Sequence, residues 1–477
     1  MSDSLNKIPV KVETAGSDGA TVSLYEAQKK IYPRAVRGMF NNFRVLFVLG
    51  TQLAYLGLPW LQWNGRQAVF FDMVGRKFYL FGLTIWPQDF VYLAALLMCC
   101  AFGLFTWTTI AGRLWCGYSC PQTVYTEIML WIEQWVEGDR GKRMKLDAAP
   151  MSMRKLRLKT IKHAIMIAFS LWTGFTLVGY FTPIRSLTAA LPTFGYGPWE
   201  MFWMFFYAGF TYLFAGFMRE QVCKYMCPYA RFQGVMFDAD TLIISYDEAR
   251  GEPRGSRKKG SDPQAQGLGS CINCSICVQV CPVGIDIRNG LQYECIGCAA
   301  CIDACDEVMD KMSYPRGLIR YTTENALEGK YPEKAIASRL KRPRVVMYVL
   351  VLAIVFGAAI TSLALRKPFK VDIIRDRASL VRETEEGWLE NTYTVKIINT
   401  TDSEQRFRIS ATGLPALKAK AETPEIRVGA ADAASVTVHV EADPQYATKG
   451  SHEIHFVIES VNHPPLRVEE KSSFIGE

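Results

Sequence analysis

Twelve of the 14 cysteines in this 477-residue chain stand at spacings that suit metal chemistry. The densest run is "CINCSICVQVCPVGIDIRNGLQYECIGCAACIDAC", residues 271–305. Cys271, Cys274, Cys277 and Cys281, followed by Pro282, read Cys-x2-Cys-x2-Cys-x3-Cys-Pro. Cys295, Cys298, Cys301 and Cys305 repeat the spacing, with Asp306 where the first run has proline. Tandem runs of this form hold two [4Fe–4S] clusters, and the fourth cysteine of each run reaches the other cluster. The expected ligand sets are therefore Cys271, Cys274, Cys277 with Cys305, and Cys295, Cys298, Cys301 with Cys281. A zinc site needs only four cysteines from two Cys-x2-Cys pairs, so eight in this order argue against zinc. Paired clusters relay single electrons; the alternative is a purely structural role.

A second pattern occurs twice. "RLWCGYSCPQ" begins at residue 113, and 107 residues after Cys116 the motif returns in "EQVCKYMCPYARFQGVM". Cys223, Tyr225, Cys227, Pro228 and Met236 match Cys116, Tyr118, Cys120, Pro121 and Met129 at one constant offset. Each copy follows an apolar block, which marks an internal repeat. Two halves facing each other would present four thiols, and residues four apart share a helical face, so each pair can chelate one metal. The metal stays open: a third cubane, or copper as Cu(I), which soft thiolates select. The plain alternative is two pairs of buried, inert cysteines. Tyr118 and Tyr225 are expected as interfacial belt residues, with redox relays as the alternative. Cys99 and Cys100, beside Met98 in an apolar block, are expected to pack in the core, with a copper relay as the alternative.

Membrane helices must position these sites. The chain is 49% hydrophobic yet 21% charged, so the apolar residues are segregated. Val45–Trp63, Phe90–Ile110, Ala164–Phe181, Trp199–Phe217 and Val345–Leu365 are 18–21 residues each with few or no charges. At ~1.5 Å per residue each can cross a hydrocarbon core of ~30 Å. The first block begins beyond residue 40 behind a polar stretch, so no cleaved signal peptide is expected. Residues 111–162 hold ten Lys and Arg, loop 64–89 three, and 182–198 only Arg185. That asymmetry predicts a cytoplasmic N-terminus, a cytoplasmic cluster segment and an exterior C-terminal region. The net charge of +8 then faces anionic lipid at the cytoplasmic membrane surface, and no nucleic-acid module is present. All cysteines lie between Cys99 and Cys305, the reverse of a secreted disulfide framework.

The expected fold is a multi-domain membrane protein. A polar basic segment (1–43) leads into a four-helix membrane domain (44–245) that carries the repeated motifs. A flexible Gly/Ser/Pro linker (246–270) precedes a two-cluster, ferredoxin-like α+β module (271–340). A fifth transmembrane helix (341–366) leads to an extracytoplasmic immunoglobulin-like β-sandwich (367–477). Loop 64–89 is expected as a small hairpin. In the last region Tyr393, Val395 and Ile397, then Val436, Val438 and Val440, then Ile454, Phe456 and Ile458 alternate with period two. His439, His452, His455 and His463 lie there; outward polar positions are the expectation, a weak Cu(II) site the alternative.

Together these motifs, with "YPRAVRGMF" and "FGLTIWPQD", resemble the CcoG/FixG/RdxA family of cytochrome oxidase accessory proteins over nearly the whole chain. The resemblance implies a membrane polyferredoxin of the bacterial inner membrane. It implies a cupric reductase that passes one electron to Cu(II), so that Cu(I) reaches copper chaperones during assembly of a cbb3-type oxidase. It carries the cluster ligands onto the eight cysteines at 271–305 and the Cys-x3-Cys pairs onto Cys116, Cys120, Cys223 and Cys227, with Asp306 as the one departure. Two readings compete: a quinol-linked electron conduit to a partner complex, and a non-enzymatic copper-binding assembly scaffold. No Gly-x-Gly-x-x-Gly or flavin signature identifies the electron donor.

Overall fold

The computed structural model describes residues 30–260, 266–376, 381–401, 403–461 and 466–476; His463 lies outside them. Four helices are long and apolar enough to cross a membrane: Pro87–Ala111, Met153–Val178, Pro198–Met218 and Pro343–Ala364. Five spans were expected. The remaining block forms helix Met39–Gly57 and ends before Trp63, because Pro59 sits in a 3-10 turn and Gln62–Trp63 starts a strand. This helix still runs the length of the bundle. At one end the Phe40 and Asn41 amides donate to Asp303 at 3.3 and 2.7 Å. At the other, the Tyr55 hydroxyl donates to Thr173 O and the Tyr180 hydroxyl to Tyr55 O. Its one buried charge, Arg44, is met by Glu127 at 2.5 Å, which removes the cost of burying it alone.

The chain has two distinct ends. At one, helix Pro121–Glu137 turns a carboxylate face inward on helix Met153–Val178. Glu133 meets Arg219 at 2.7 Å and Arg143 and Lys162 at 3.4 Å. Glu137 meets Lys159 at 2.8 Å and Lys162 at 3.0 Å. Several cations counted above as loop charges are thus internal partners. Burial works to raise the Glu133 carboxyl, but Arg219 and Lys162 outweigh it and hold it down at about 2.

The cluster module sits against this end. Its two-stranded sheet pairs Ile319–Thr322 with Ile243–Tyr246, so the module begins before the stretch expected as a linker. Residues 246–260 and 266–270 do not behave as a tether. Helix Glu248–Gly251 starts them, and Gly255 N–H donates to Cys271 O while Cys271 N–H donates to Gly251 O. Glycine-rich composition here serves close backbone packing rather than freedom.

The opposite end carries no thiol. Loop 64–89 forms a three-stranded sheet, Val69–Asp72, Lys77–Leu80 and Leu83–Ile85. Beyond helix Pro343–Ala364 two sheets pack face to face. One runs Lys418–Ala421, Ala433–Ala442, Leu389–Asn399, Phe369–Arg375; the other Ile426–Val428, Gln405–Thr412, Gly450–Ser460, Arg467–Gly476. Tyr393, Val395, Ile397, Phe407, Phe456 and Ile458 fill the core between them, following the period-two stripes.

Asp89 fixes the sandwich to the bundle. Its buried carboxylate takes Arg366 at 2.6 Å, Lys370 at 2.5 Å and the Trp86 amide at 3.0 Å. Asp89→Ala strands two cations, so we expect it to cost about 3 kcal/mol. Thermal unfolding of detergent-purified protein would show the loss, with iron content unchanged because the clusters lie at the far end.

Candidate functional site

Two cavities mark the cluster positions. One, of about 370 Å³ including its mouth, is lined by Cys271, Cys274, Cys277 and Cys305. The other, about 350 Å³, is lined by Cys281, Cys295, Cys298 and Cys301, with Cys277 between the two. Each cavity gathers three cysteines of one run and the fourth of the other. In each run the backbone turns left-handed at equivalent places: Asn273 and Ser275 in one, Gly297 and Ala299 in the other. These turns curl each Cys-x2-Cys-x2-Cys stretch around its cavity, and apolar Ile276 and Leu318 close the first wall, Ile285, Ile287 and Ile296 the second. Burial pushes the Cys277 and Cys281 thiols up to about 11, and Cys295 and Cys305 up to about 12. Metal-free, they hold their protons at neutral pH, so loading must release protons.

A cubane binds each thiolate at a different corner. The residues fit two [4Fe–4S] clusters. Asp306, the departure from proline, has a role: its carboxylate accepts from Gly317 N–H at 2.9 Å, and its negative charge bears on Cys305.

The four mouth thiols also come together. Cys116 and Cys227 lie close enough to bear on both other thiols: burial first, then the neighbouring sulfurs, push Cys120 up to about 11 and Cys223 to about 12. The expected shared helical face is not the means. Cys116 lies in the short helix Leu114–Tyr118, while Cys120 has extended backbone as N-cap of the next helix. Cys227 likewise caps Pro228–Met236, after a π-helical turn that holds Cys223. Proline forces the preceding cysteine out of helical geometry and starts the new helix itself. Cys-Pro is therefore a corner that aims a thiol from a helix start.

The corner touches the second cluster site. A Cβ on Gly117 would lie 2.8 Å from Ile296 O and 2.9 Å from Cys298 N and Cα. Only glycine permits this approach. Cys116 is buried, in contact with Gln233 at 3.6 Å and under the influence of the Arg113 guanidinium, whose Nη1 donates to Tyr293 O at 2.5 Å. Sequence reasoning singled out neither Arg113 nor Gln233; both flank the motif copies, within six residues of a cysteine.

Other expectations are corrected. Tyr118 is not an interfacial residue: it is buried against Phe47 and close to Tyr321, whose hydroxyl donates to Gly297 O at 2.6 Å. Tyr225 is partly exposed. Cys100 and Met98 face outward from helix Phe90–Ala111 rather than into a core, because that helix is apolar all round. His439 pairs with Glu390 at 3.1 Å, His455 with Glu453 and Glu469, and His452 with Thr448 O. They occupy different sheet positions and form no common site.

Thiol-ringed cluster sites seated on apolar membrane helices define an iron–sulfur electron-transfer membrane protein. Sequence comparison agrees. Residues 93–143 match a model of a 4Fe-4S binding domain, 218–324 a 4Fe-4S dicluster domain, and 359–477 the IG-like fold at the C-terminus of FixG. Nitrogen fixation protein FixG of Rhizobium meliloti is 37% identical over 462 residues, 90% of this chain and 87% of FixG. Protein RdxB of Cereibacter sphaeroides is 40% identical, covering 83% of this chain and 84% of its own. A crystal structure of a FixG-related protein from Vibrio parahaemolyticus, 27% identical, covers 24% of this chain and 99% of that one at a TM-score of 0.22. The chain belongs to the CcoG/FixG/RdxA family.

Two outcomes test the site. Gly117→Ala is expected to disturb one of the two cluster signals in electron paramagnetic resonance, that of the Cys295/Cys298/Cys301/Cys281 site, and leave the other. Asp306→Asn removes a negative charge beside Cys305, which favours the reduced, more negative cluster. A redox titration should move the Cys271/Cys274/Cys277/Cys305 cluster to higher potential, and an unchanged or lower value would refute the assignment.

Proposed function

We propose that the chain carries single electrons to Cu(II) and yields Cu(I) for the copper centre of a cbb3-type oxidase. The observation that carries this reading is the backbone contact of Gly117 with Cys298, which sets the mouth thiols beside a cluster's ligands. When bound, the clusters supply stores for single electrons. Cys116, Cys120, Cys223 and Cys227 then receive the copper. Soft thiolates prefer Cu(I) to Cu(II), so an ion they hold is biased toward taking up one electron. The family membership supports the oxidase link. In this reading five helices cross the bacterial inner membrane, with the clusters on the cytoplasmic side and the sandwich periplasmic. The excess of Lys and Arg at the cluster end supports that orientation. Copper chaperones and oxidase assembly factors are the partners.

A second reading gives the four mouth thiols a third cluster. Two observations favour it. The 4Fe-4S binding domain match over 93–143 contains Cys116 and Cys120 but none of the eight module cysteines. Arg113 beside Cys116 also suits an anionic cluster better than a copper cation.

Iron analysis and anaerobic stopped-flow separate the two. Protein with reduced clusters is mixed with Cu(II) and a Cu(I)-specific chelator, beside a variant with Cys116, Cys120, Cys223 and Cys227 all changed to Ser. The copper reading expects about eight irons in both, with Cu(I) formation matching cluster reoxidation and slowing sharply in the variant. About twelve irons falling to about eight supports the third cluster. Clusters that ignore Cu(II) end the reductase reading.

A further inference from the structure

A cavity of about 1070 Å³, including its open mouth, lies at the cluster end between two membrane helices. Helix Met153–Val178 contributes His163 and Met166; the end of Pro198–Met218 contributes Gly216 and Phe217; Glu220 completes the lining. Residues Tyr212–Met218 wind as a π-helix, a departure that clusters at functional sites because it widens the turn. The cations of this wall are already engaged: Arg219 and Lys162 on Glu133, Lys159 on Glu137 and Asp147. The site is therefore poor for an anion and good for a neutral ligand with a flat apolar body and polar ends. The His163 and Phe217 rings lie parallel, 5.8 Å apart at 8°. His163 Nδ1 hydrogen-bonds the Tyr212 hydroxyl at 2.9 Å. Glu220 is 6% exposed, accepts from Gln221 at 3.1 Å, and has no ion pair among the described residues. Arg219 and Glu220 also border a second cavity that Cys223 and Ile296 line, so the first cavity adjoins the redox site.

We propose that this cavity binds a membrane quinol, which supplies the electrons. The inference rests on the electron-relay reading, and not on copper as the acceptor. With Nδ1–H donated to Tyr212, His163 Nε2 keeps a free lone pair. One quinol O–H bond breaks toward Nε2 and the other toward the Glu220 carboxylate. Two protons and two electrons leave, and the quinone remains. The electrons go one at a time toward the iron–sulfur centres beside Cys223 and, on the copper reading, reduce two Cu(II) to two Cu(I).

The test uses full-length protein with its clusters, in lipid nanodiscs. The quinol analogue 2-heptyl-4-hydroxyquinoline N-oxide, whose fluorescence is quenched on binding, reports occupancy. Decylubiquinone mixed with dithionite-reduced protein reports electron exchange in the reverse direction. Wild type is expected to bind one analogue per chain and be reoxidised by the quinone. Gly216→Leu should lose analogue binding, since a Cβ there meets only Tyr212 Cδ2 at 3.9 Å and leaves the side chain room to fill the cavity. Glu220→Gln and His163→Leu, at wild-type iron content, should slow quinone reduction at least ~10-fold. Absence of saturable analogue binding, or variants with full iron that react as fast as wild type, would overturn the proposal. Quinone reduction without Cu(II) reduction would sustain it and remove copper as acceptor.

Discussion

The arrangement depends on one close approach, the backbone of Gly117 against that of Cys298. Two cysteine patterns that are unrelated in spacing meet there. A side chain at position 117 would hold them apart by the width of a methyl group, and the chain around it has little freedom to yield. Cys116 on one side is buried, and Pro121 on the other starts a helix. Proline and glycine thus divide the labour within five residues: one makes the corner, the other lets it dock.

Docking of this kind needs the module held at a defined depth. Asp303 does so by accepting the first amides of helix Met39–Gly57, acting as an N-cap supplied by a different domain. It belongs to the same helix, Ala300–Met312, that presents Cys301 and Cys305, so a membrane helix and two cluster ligands share one rigid element. The Glu133 and Glu137 network braces the neighbouring helices. Buried charges usually cost more than they return unless fully paired. Here the pairing is dense, and it keeps Arg219 and the segment carrying Cys223 in register with helix Pro121–Glu137.

Spacing made legible which cysteines share a cavity, because a cubane demands three thiolates from one short loop and a fourth from elsewhere. Apolar runs revealed the membrane helices for an equally simple reason: hydrocarbon tolerates little else. The period-two stripes exposed the sandwich core. What failed were judgements about local environment. Tyr118 has the composition of a belt residue yet lies between a helix and a cluster loop. Residues 246–260 and 266–270 have the composition of a linker yet fold back on Cys271. Composition reports what a residue tolerates, and long-range packing decides where it goes. Glu133, Glu137, Arg113 and Gln233 escaped notice because charged and amide residues in a loop-rich stretch look solvated until their partners, tens of residues away, are in place.

The two ends of the bundle divide the protein's chemistry. Every described thiol with a metal-ligand spacing lies at one end, and the sandwich is clamped by Asp89 to the other. Helix Pro343–Ala364, 22 residues long, separates them by ~33 Å at ~1.5 Å per residue. The sandwich cannot reach a cluster, and His439, His452 and His455 are engaged separately by carboxylates and a carbonyl. Its surface is therefore available for contacts that do not interfere with electron flow. The clusters in turn remain beneath a face rich in paired cations, where burial rather than the sandwich shields them. Whatever meets the sandwich can influence the redox end only through the helices that join the two.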